Sequence, residues 1–193
     1  MLKIGERSDI IMREIHPDVQ EILISEDELK EIVSRLGKQI THDYAGKELL
    51  LVGILKGSVI FMSDLMREID LDCSIDFMRV SSYGSGTTST GKINIELDLR
   101  RSVKGSHVLI IEDILDSGNT LSMLKELLIS RGPESVKICT MLDKPERHMT
   151  DIKPDYIGKV IPNHFVIGYG LDYDEKYRNL PYIGILKRTI YTK

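Results

Sequence analysis

Cysteine is scarce in this chain. Only Cys73 and Cys139 occur, 66 positions apart, and neither belongs to a C-x-x-C pair; the five histidines form no H-E-x-x-H. Such spacing does not build a structural zinc site. Each cysteine has apolar neighbours, as in Ile138-Cys139, and we read both as reduced core thiols. An excess of positive charge is lacking too: 26 Lys and Arg against 30 Asp and Glu leave a net charge of −4. No global basic field therefore draws the chain to nucleic acid or anionic lipid. Apolar runs are all too short to span a bilayer, and MLKIGERSDI holds no signal-peptide core. Linkers, internal repeats and low-complexity tails are absent from the 193 residues. The expectation is one soluble, cytoplasmic domain over residues 1–193, long enough to bury a proper core.

What is present is an alternation of strands and helices. Ser25-Glu26-Asp27-Glu28 is a capping box, and Leu29, Ile32, Val33, Leu36 and Ile40 recur behind it at helical spacing. That predicts a helix over 26–43. ELLLVGIL at 48–55 reads as a buried strand, VIFMSDLMREI as a helix, and residues 74–80 as a strand. Ile93, Ile95, Leu97 and Leu99 alternate with polar residues and mark a half-buried strand. Val108–Ile111 is another strand, and Leu121, Leu124 and Leu128 mark a helix ending at Gly132-Pro133. Residues 135–142 are a strand again, and YIGKVI, FVIGYG and IGIL are three short ones near the end. The pattern implies an α/β fold, a mainly parallel twisted sheet with helices on both faces. The 74–99 pair and the last 40 residues read as β additions to it.

The stretch VLIIEDILDSGNT, residues 108–120, carries the chemistry. An apolar strand runs into Glu112 and Asp113, then Asp116, then a turn of Ser117, Gly118, Asn119 and Thr120 that opens a helix. Free N–H groups at a helix start and two hydroxyls suit a phosphate. Three carboxylates within five residues repel one another unless they are solvated or hold something cationic or rich in hydroxyls. A ribose diol or Mg²⁺ shared with substrate phosphates meets that need. A solvated acidic loop that merely caps a helix would have the same composition. Leu55-Lys56-Gly57-Ser58 ends its own strand in the same way, and a Lys with exposed amides suits a diphosphate.

Residues 108–120 resemble the phosphoribosyl pyrophosphate signature of the type I phosphoribosyltransferases: an apolar strand, two acidic residues, two apolar residues, then D-[ST]-G-x-T. Every position of that motif is present. The resemblance runs from about residue 50 to 185 and points to the 6-oxopurine branch of the family. It implies a type I phosphoribosyltransferase fold with a small β-rich hood and a mobile lid loop. It assigns Glu112 and Asp113 to ribose and Mg²⁺, residues 116–120 to the 5-phosphate, and Asp116 to general base catalysis. Lys56, Gly57, Ser58 and Arg178 fall to pyrophosphate, with a cis peptide expected at Leu55–Lys56. Lys144 would donate to the 6-oxo group, Phe165 would stack on the base for roughly 1–3 kcal/mol, and Val166 would offer backbone groups to its edge. Asp172 would face the base pocket and the Mg²⁺–pyrophosphate side. Arg79 would support the pyrophosphate loop. The partners implied are phosphoribosyl pyrophosphate and a 6-oxopurine, with a homodimer or homotetramer as the assembly and no nucleic acid or membrane.

SSYGSGTTSTG at 81–91 is a long polar loop between two strands, read as the lid, with Ser82 and Tyr83 matching the family's Ser-Tyr pair. It contains a false lead. Gly86 to Lys92 fits seven positions of a P-loop, but Ile93 stands where Ser or Thr belongs and no helix follows. Gly168 and Gly170 likewise begin a dinucleotide fingerprint that fails at Tyr173. Tyr169 reads as core packing.

Overall fold

Apolar strands without polar alternation need cover on both faces, and the centre of this protein is built from them. The computed structural model describes residues 14–82 and 93–192. In chain order the elements are β1 (Val19–Ile24), α1 (Glu26–Asp43), β2 (Leu49–Ile54), α2 (Val59–Glu68), β3 (Cys73–Ser82), β4 (Ile93–Leu97), β5 (His107–Leu115) and α3 (Asn119–Ser130). Then come β6 (Ser135–Asp143), a single 3₁₀ turn (Pro145–Arg147), β7 (Tyr156–Val160), β8 (Val166–Ile167), β9 (Ile183–Leu186) and α4 (Arg188–Tyr191).

The main sheet has the order β4-β3-β2-β5-β6-β7. Five of its strands run parallel, and β4 returns antiparallel to β3. Successive side chains of a strand point to opposite faces. Leu49, Leu51, Leu109 and Ile111 accordingly enter one core, with Leu29, Leu36, Phe61 and Leu65 of α1 and α2. Leu50, Val52, Val108 and Ile110 enter the other, with Leu121, Leu124 and Leu128 of α3. This is the expected sheet with helices on both faces. The N-cap of α1 is Ser25, whose Oγ accepts from the Glu28 N–H at 3.2 Å.

Four details differ from the sequence reading. Strand β5 does not stop at Ile111 but continues to Leu115, because pairing persists through Glu112↔Thr140, Ile114↔Leu142 and Leu115↔Asp143. YIGKVI is not part of the terminal addition: it forms β7 and pairs parallel with β6 at the edge of the main sheet. FVIGYG shrinks to Val166–Ile167, since Gly168 (φ 96°), Tyr169 (φ 51°) and Gly170 (φ 101°) leave the extended region. The small addition is a separate antiparallel sheet, β1-β9-β8, and β1 comes from an N-terminal segment that carries no clear strand signal. Of the expected lid, β3 ends at Ser82 opposite Ile93; Tyr83 and the rest of 83–92, with the false P-loop, lie outside the described residues. Among the described residues no helix is long and apolar enough to cross a membrane. Cys139 is buried, Cys73 half-buried, and neither is in a disulfide.

Candidate active site

Sheet growth reverses between β2 and β5: β3 lies on one side of β2, while β5, β6 and β7 lie on the other. In open α/β sheets ligands bind beyond the carboxyl ends of the strands at such a switch point. The loops after β2, β5 and β6 meet there, and they carry Lys56, Asp116 and Lys144.

After β5 the chain turns through Gly118, whose φ of 81° is left-handed backbone that suits glycine. A Cβ there would lie 2.6 Å from Thr150 Oγ1 and 2.8 Å from Ile152 Cγ2, so the turn has no room for a side chain. Asn119 then starts α3, twelve residues long, with its N–H groups directed back at the turn. Glu112, Asp116, Ser117, Gly118 and Thr120 line a cavity of about 160 Å³ over Ile54, Leu121 and Leu124. A segment from Lys144 to Thr150 braces this turn: Lys144 N donates to Leu115 O at 3.0 Å and Met149 N to Ser117 O at 2.9 Å.

Asp116 is turned toward two cations. Its Oδ1 accepts from Arg147 Nε at 2.9 Å, and its Oδ2 lies 3.9 Å from Lys144 Nζ. Lys144 is buried, not an exposed turn lysine, with 6% of its surface accessible. Burial pulls its ammonium below the usual lysine range; the Asp116 charge opposes the fall, and Arg147 adds to it. Glu112 and Asp113 are half-buried inside the strand. Burial, then the Asp113 charge, pushes the Glu112 carboxyl well above its ordinary range. Burial pushes Asp113 up to about 6, opposed by the Ile114 N–H and by Arg178, while Asp172 adds to the rise. Glu112 Oε2 is buried without a hydrogen-bond partner.

The peptide Leu55–Lys56 is cis, as the sequence reading expects. Lys56 is exposed and its Nζ meets Glu175 Oε2 at 2.8 Å. Gly57 packs so closely on Asp113 that a Cβ would overlap the carboxylate. The Ser58 hydroxyl is fully buried and donates to Ile54 O at 2.6 Å, so this side chain supports the loop from within. Arg79 is likewise engaged elsewhere, with Glu96 on β4 at 3.0 Å.

Arg178 joins the same side. Its Nη1 donates to Gly170 O at 2.8 Å and its Nη2 sits 2.9 Å from Asp172 Oδ1. Gly170 in turn rests on the Gly57 carbonyl, leaving no space for a Cβ. A mixed-charge cavity of about 540 Å³ between α1, α2 and residues 178–181 touches Arg178 but none of the acidic stretch. Phe165 keeps 38% of its surface exposed, stacks on Tyr191 at 4.9 Å and meets Tyr173 edge-on at 5.5 Å. Val166 lies in β8, one of the two edge strands of its sheet, where one side of the backbone is unpaired among the described residues. Tyr169 is core, as expected, with its hydroxyl donating to Asp64 Oδ2 at 2.7 Å.

Among the described residues no three Asp, Glu, His or Cys side chains converge as a ready metal cage. Glu112, Asp113 and Asp172 are therefore not a closed set: Asp172 is turned to Arg178 and to the Glu175 N–H. The donors still fit Mg²⁺, which takes one or two carboxylates and completes its shell with water and substrate phosphate. An unpartnered carboxylate oxygen beside a second half-buried carboxylate is such a donor pair. Two charged side chains that meet the candidate site escape sequence reasoning, Arg147 at Asp116 and Glu175 at Lys56. Each lies in a turn just past a recognised block, and only folding brings it to the site.

A model of the phosphoribosyl transferase domain matches residues 20–174. The chain belongs to this family. Members of the phosphoribosyl transferase domain family at high identity include the hypoxanthine-guanine phosphoribosyltransferase of Staphylococcus aureus (strain N315). It is 55% identical over 178 residues, 92% of this chain and 99% of that protein. The bifunctional protein TilS/HprT of Listeria monocytogenes is 54% identical over 179 residues, 93% of this chain. This chain spans 28% of the length of that bifunctional relative. A crystal structure of a hypoxanthine phosphoribosyltransferase from Staphylococcus aureus superposes with a TM-score of 0.91 at 54% identity, covering 95% of this chain and 100% of that one. The type I phosphoribosyltransferase fold expected from the sequence is thus the fold of the family.

Proposed function

We propose that the chain transfers the 5-phosphoribosyl group from phosphoribosyl pyrophosphate to a 6-oxopurine, hypoxanthine or guanine, releasing pyrophosphate in purine salvage. The observation that carries this reading is the placement of Asp116 Oδ2 beside the buried Lys144 ammonium, above the phosphate turn. The 6-oxo group and N7 of a purine are neighbours on one edge. One site that offers a donor and a carboxylate side by side therefore reads both, the donor at the oxygen and the base at the ring nitrogen.

The C1′–O bond to pyrophosphate breaks, and pyrophosphate leaves with the electron pair. N9 of the purine forms the new bond to C1′, and the proton carried on N7 passes to Asp116. Arg147 holds Oδ1 of that carboxylate and leaves Oδ2 to accept the proton. The turn at 117–120 anchors the 5-phosphate, and Glu112 and Asp113 accept from the ribose hydroxyls. Lys56 and Arg178 neutralise the departing pyrophosphate, with the Gly57 backbone beside them. Glu112, Asp113 and Asp172 would hold Mg²⁺, which supplies charge neutralisation at the pyrophosphate. Phe165 stacks on the base and Val166 lines its edge. Ser82 and Tyr83 belong to the lid of this proposal, as do a homodimer or homotetramer and a cytoplasmic location. The protein's main contributions are positioning and electrostatic stabilisation.

A spectrophotometric assay with phosphoribosyl pyrophosphate, Mg²⁺ and each of hypoxanthine, guanine, xanthine and adenine tests the reading. Turnover with hypoxanthine or guanine and none with adenine is expected. Turnover with adenine alone, or with no purine, overturns it.

A further inference from the structure

The cations assigned to pyrophosphate are already in contact with a carboxylate of the protein. Glu175 Oε2 lies 2.8 Å from Lys56 Nζ and 3.5 Å from Arg178 Nη2. Its turn is built to present it. Asp174 (φ 51°), Glu175 (φ 60°) and Tyr177 (φ 74°) all adopt left-handed backbone without being glycine. Such positions cost energy and persist only where the surroundings impose them. Here the surroundings are visible: Asp172 Oδ2 accepts from the Glu175 N–H at 3.0 Å, Tyr173 and Lys176 exchange backbone bonds, and the Tyr177 hydroxyl donates to Asp18 at 2.8 Å. The side chain itself is 65% exposed and has water to swing into.

We propose that Glu175 is a resident counter-anion of the pyrophosphate site, displaced from Lys56 and Arg178 each time pyrophosphate binds, free or as part of the sugar substrate. This rests on the assignment of Lys56 and Arg178 made above. With Glu175 and Asp172 in place, two carboxylates balance two cations; an arriving pyrophosphate must replace one of them. The exchange weakens the hold on pyrophosphate and returns an anion to Lys56 when the product leaves. Glu175 is thus a positioning residue that sets pyrophosphate affinity without touching the purine or the 5-phosphate.

Titration calorimetry with magnesium pyrophosphate on wild type, Glu175→Gln and Glu175→Ala tests this, with inosine monophosphate as the second ligand. Both variants should bind pyrophosphate roughly two- to fivefold more tightly, the range expected for removing an exposed competing ion pair. Their affinity for the monophosphate should be unchanged. Equal or weaker pyrophosphate binding in the variants overturns the role of Glu175, as does an equal gain for both ligands. A wild type that binds no pyrophosphate overturns the assignment of Lys56 and Arg178, and the inference with it.

Discussion

In the proposed reaction the contact between Asp116 and Lys144 serves two chemistries. The carboxylate is held at Oδ1 by Arg147, leaving Oδ2 toward Lys144. Replacing Asp116 with Asn keeps the shape and removes the proton acceptor. Turnover should fall by about 10²- to 10⁴-fold, the usual contribution of a general base, while the KM for phosphoribosyl pyrophosphate changes little. Steady-state kinetics of Asp116→Asn settle the point, and equal losses in binding and turnover would argue for a purely structural carboxylate. The buried Lys144 offers donors and no acceptor. A site with such a donor rejects adenine, whose amino group also donates. Lys144→Ala should therefore erode the preference for hypoxanthine over adenine, read as the ratio of kcat/KM values. An unchanged ratio would remove Lys144 from the base pocket.

The elements are tied together by a few long side chains at their ends. Arg131 caps the C-terminus of α3 and grips Asp98, just past β4, with Nη1–Oδ1 at 2.6 Å and Nη2–Oδ2 at 2.8 Å. The Arg131 hydrogen bond holds the Asp98 carboxyl below its ordinary 3.8. A carboxyl lowered on folding adds stability that is present above its unfolded value and is lost as pH falls through the folded one. Asp98 is nearly half exposed, so solvent screens the pair and its contribution is about 0.5–1 kcal/mol. Arg131→Met should unfold a few degrees earlier than wild type at pH 7, and the gap should narrow as pH falls below 3.8 through the lowered Asp98 value. A gap that does not narrow over that range would mean that Arg131 contributes through packing alone.

Over the whole molecule, two large cores lie on the faces of the main sheet, and a third, smaller cluster forms around Val19, Ile167, Tyr182 and Leu186 at the small sheet. Leu128 of α3 is fully buried in the core that α1 and α2 do not reach. Leu128→Ala removes methyl groups from close-packed surroundings and should cost about 2–5 kcal/mol. For a chain of this size that lowers the melting temperature by roughly 5–15 °C. The effect is read by calorimetry, and KM values measured well below the transition should stay near wild type. A large change in KM at low temperature would show that α3 packing and the phosphate turn at its start are one unit.

Local pattern was enough for much of this protein. The capping box and the heptad-like row from Leu29 to Ile40 place α1 at its observed bounds, since both signals lie within a few turns. The run Leu49–Ile54 can bury itself only inside a sheet. E-D-x-x-D-S-G-N-T carries its own turn and helix start, so the turn after β5 and the start of α3 were legible too. Distance in the chain hid the rest. β1 pairs with β9 across more than 150 positions, and neither strand alone shows why. Asp116 meets Arg147 because the parallel strands β5 and β6 deliver their loops to one edge, and Lys56 meets Glu175 because the β8–β9 connection of the small sheet reaches the loop after β2. Only the fold shows that the Ser58 hydroxyl turns inward to brace its own loop. A short stretch of sequence states which groups are available; packing alone decides which of them face each other and which remain free for a substrate.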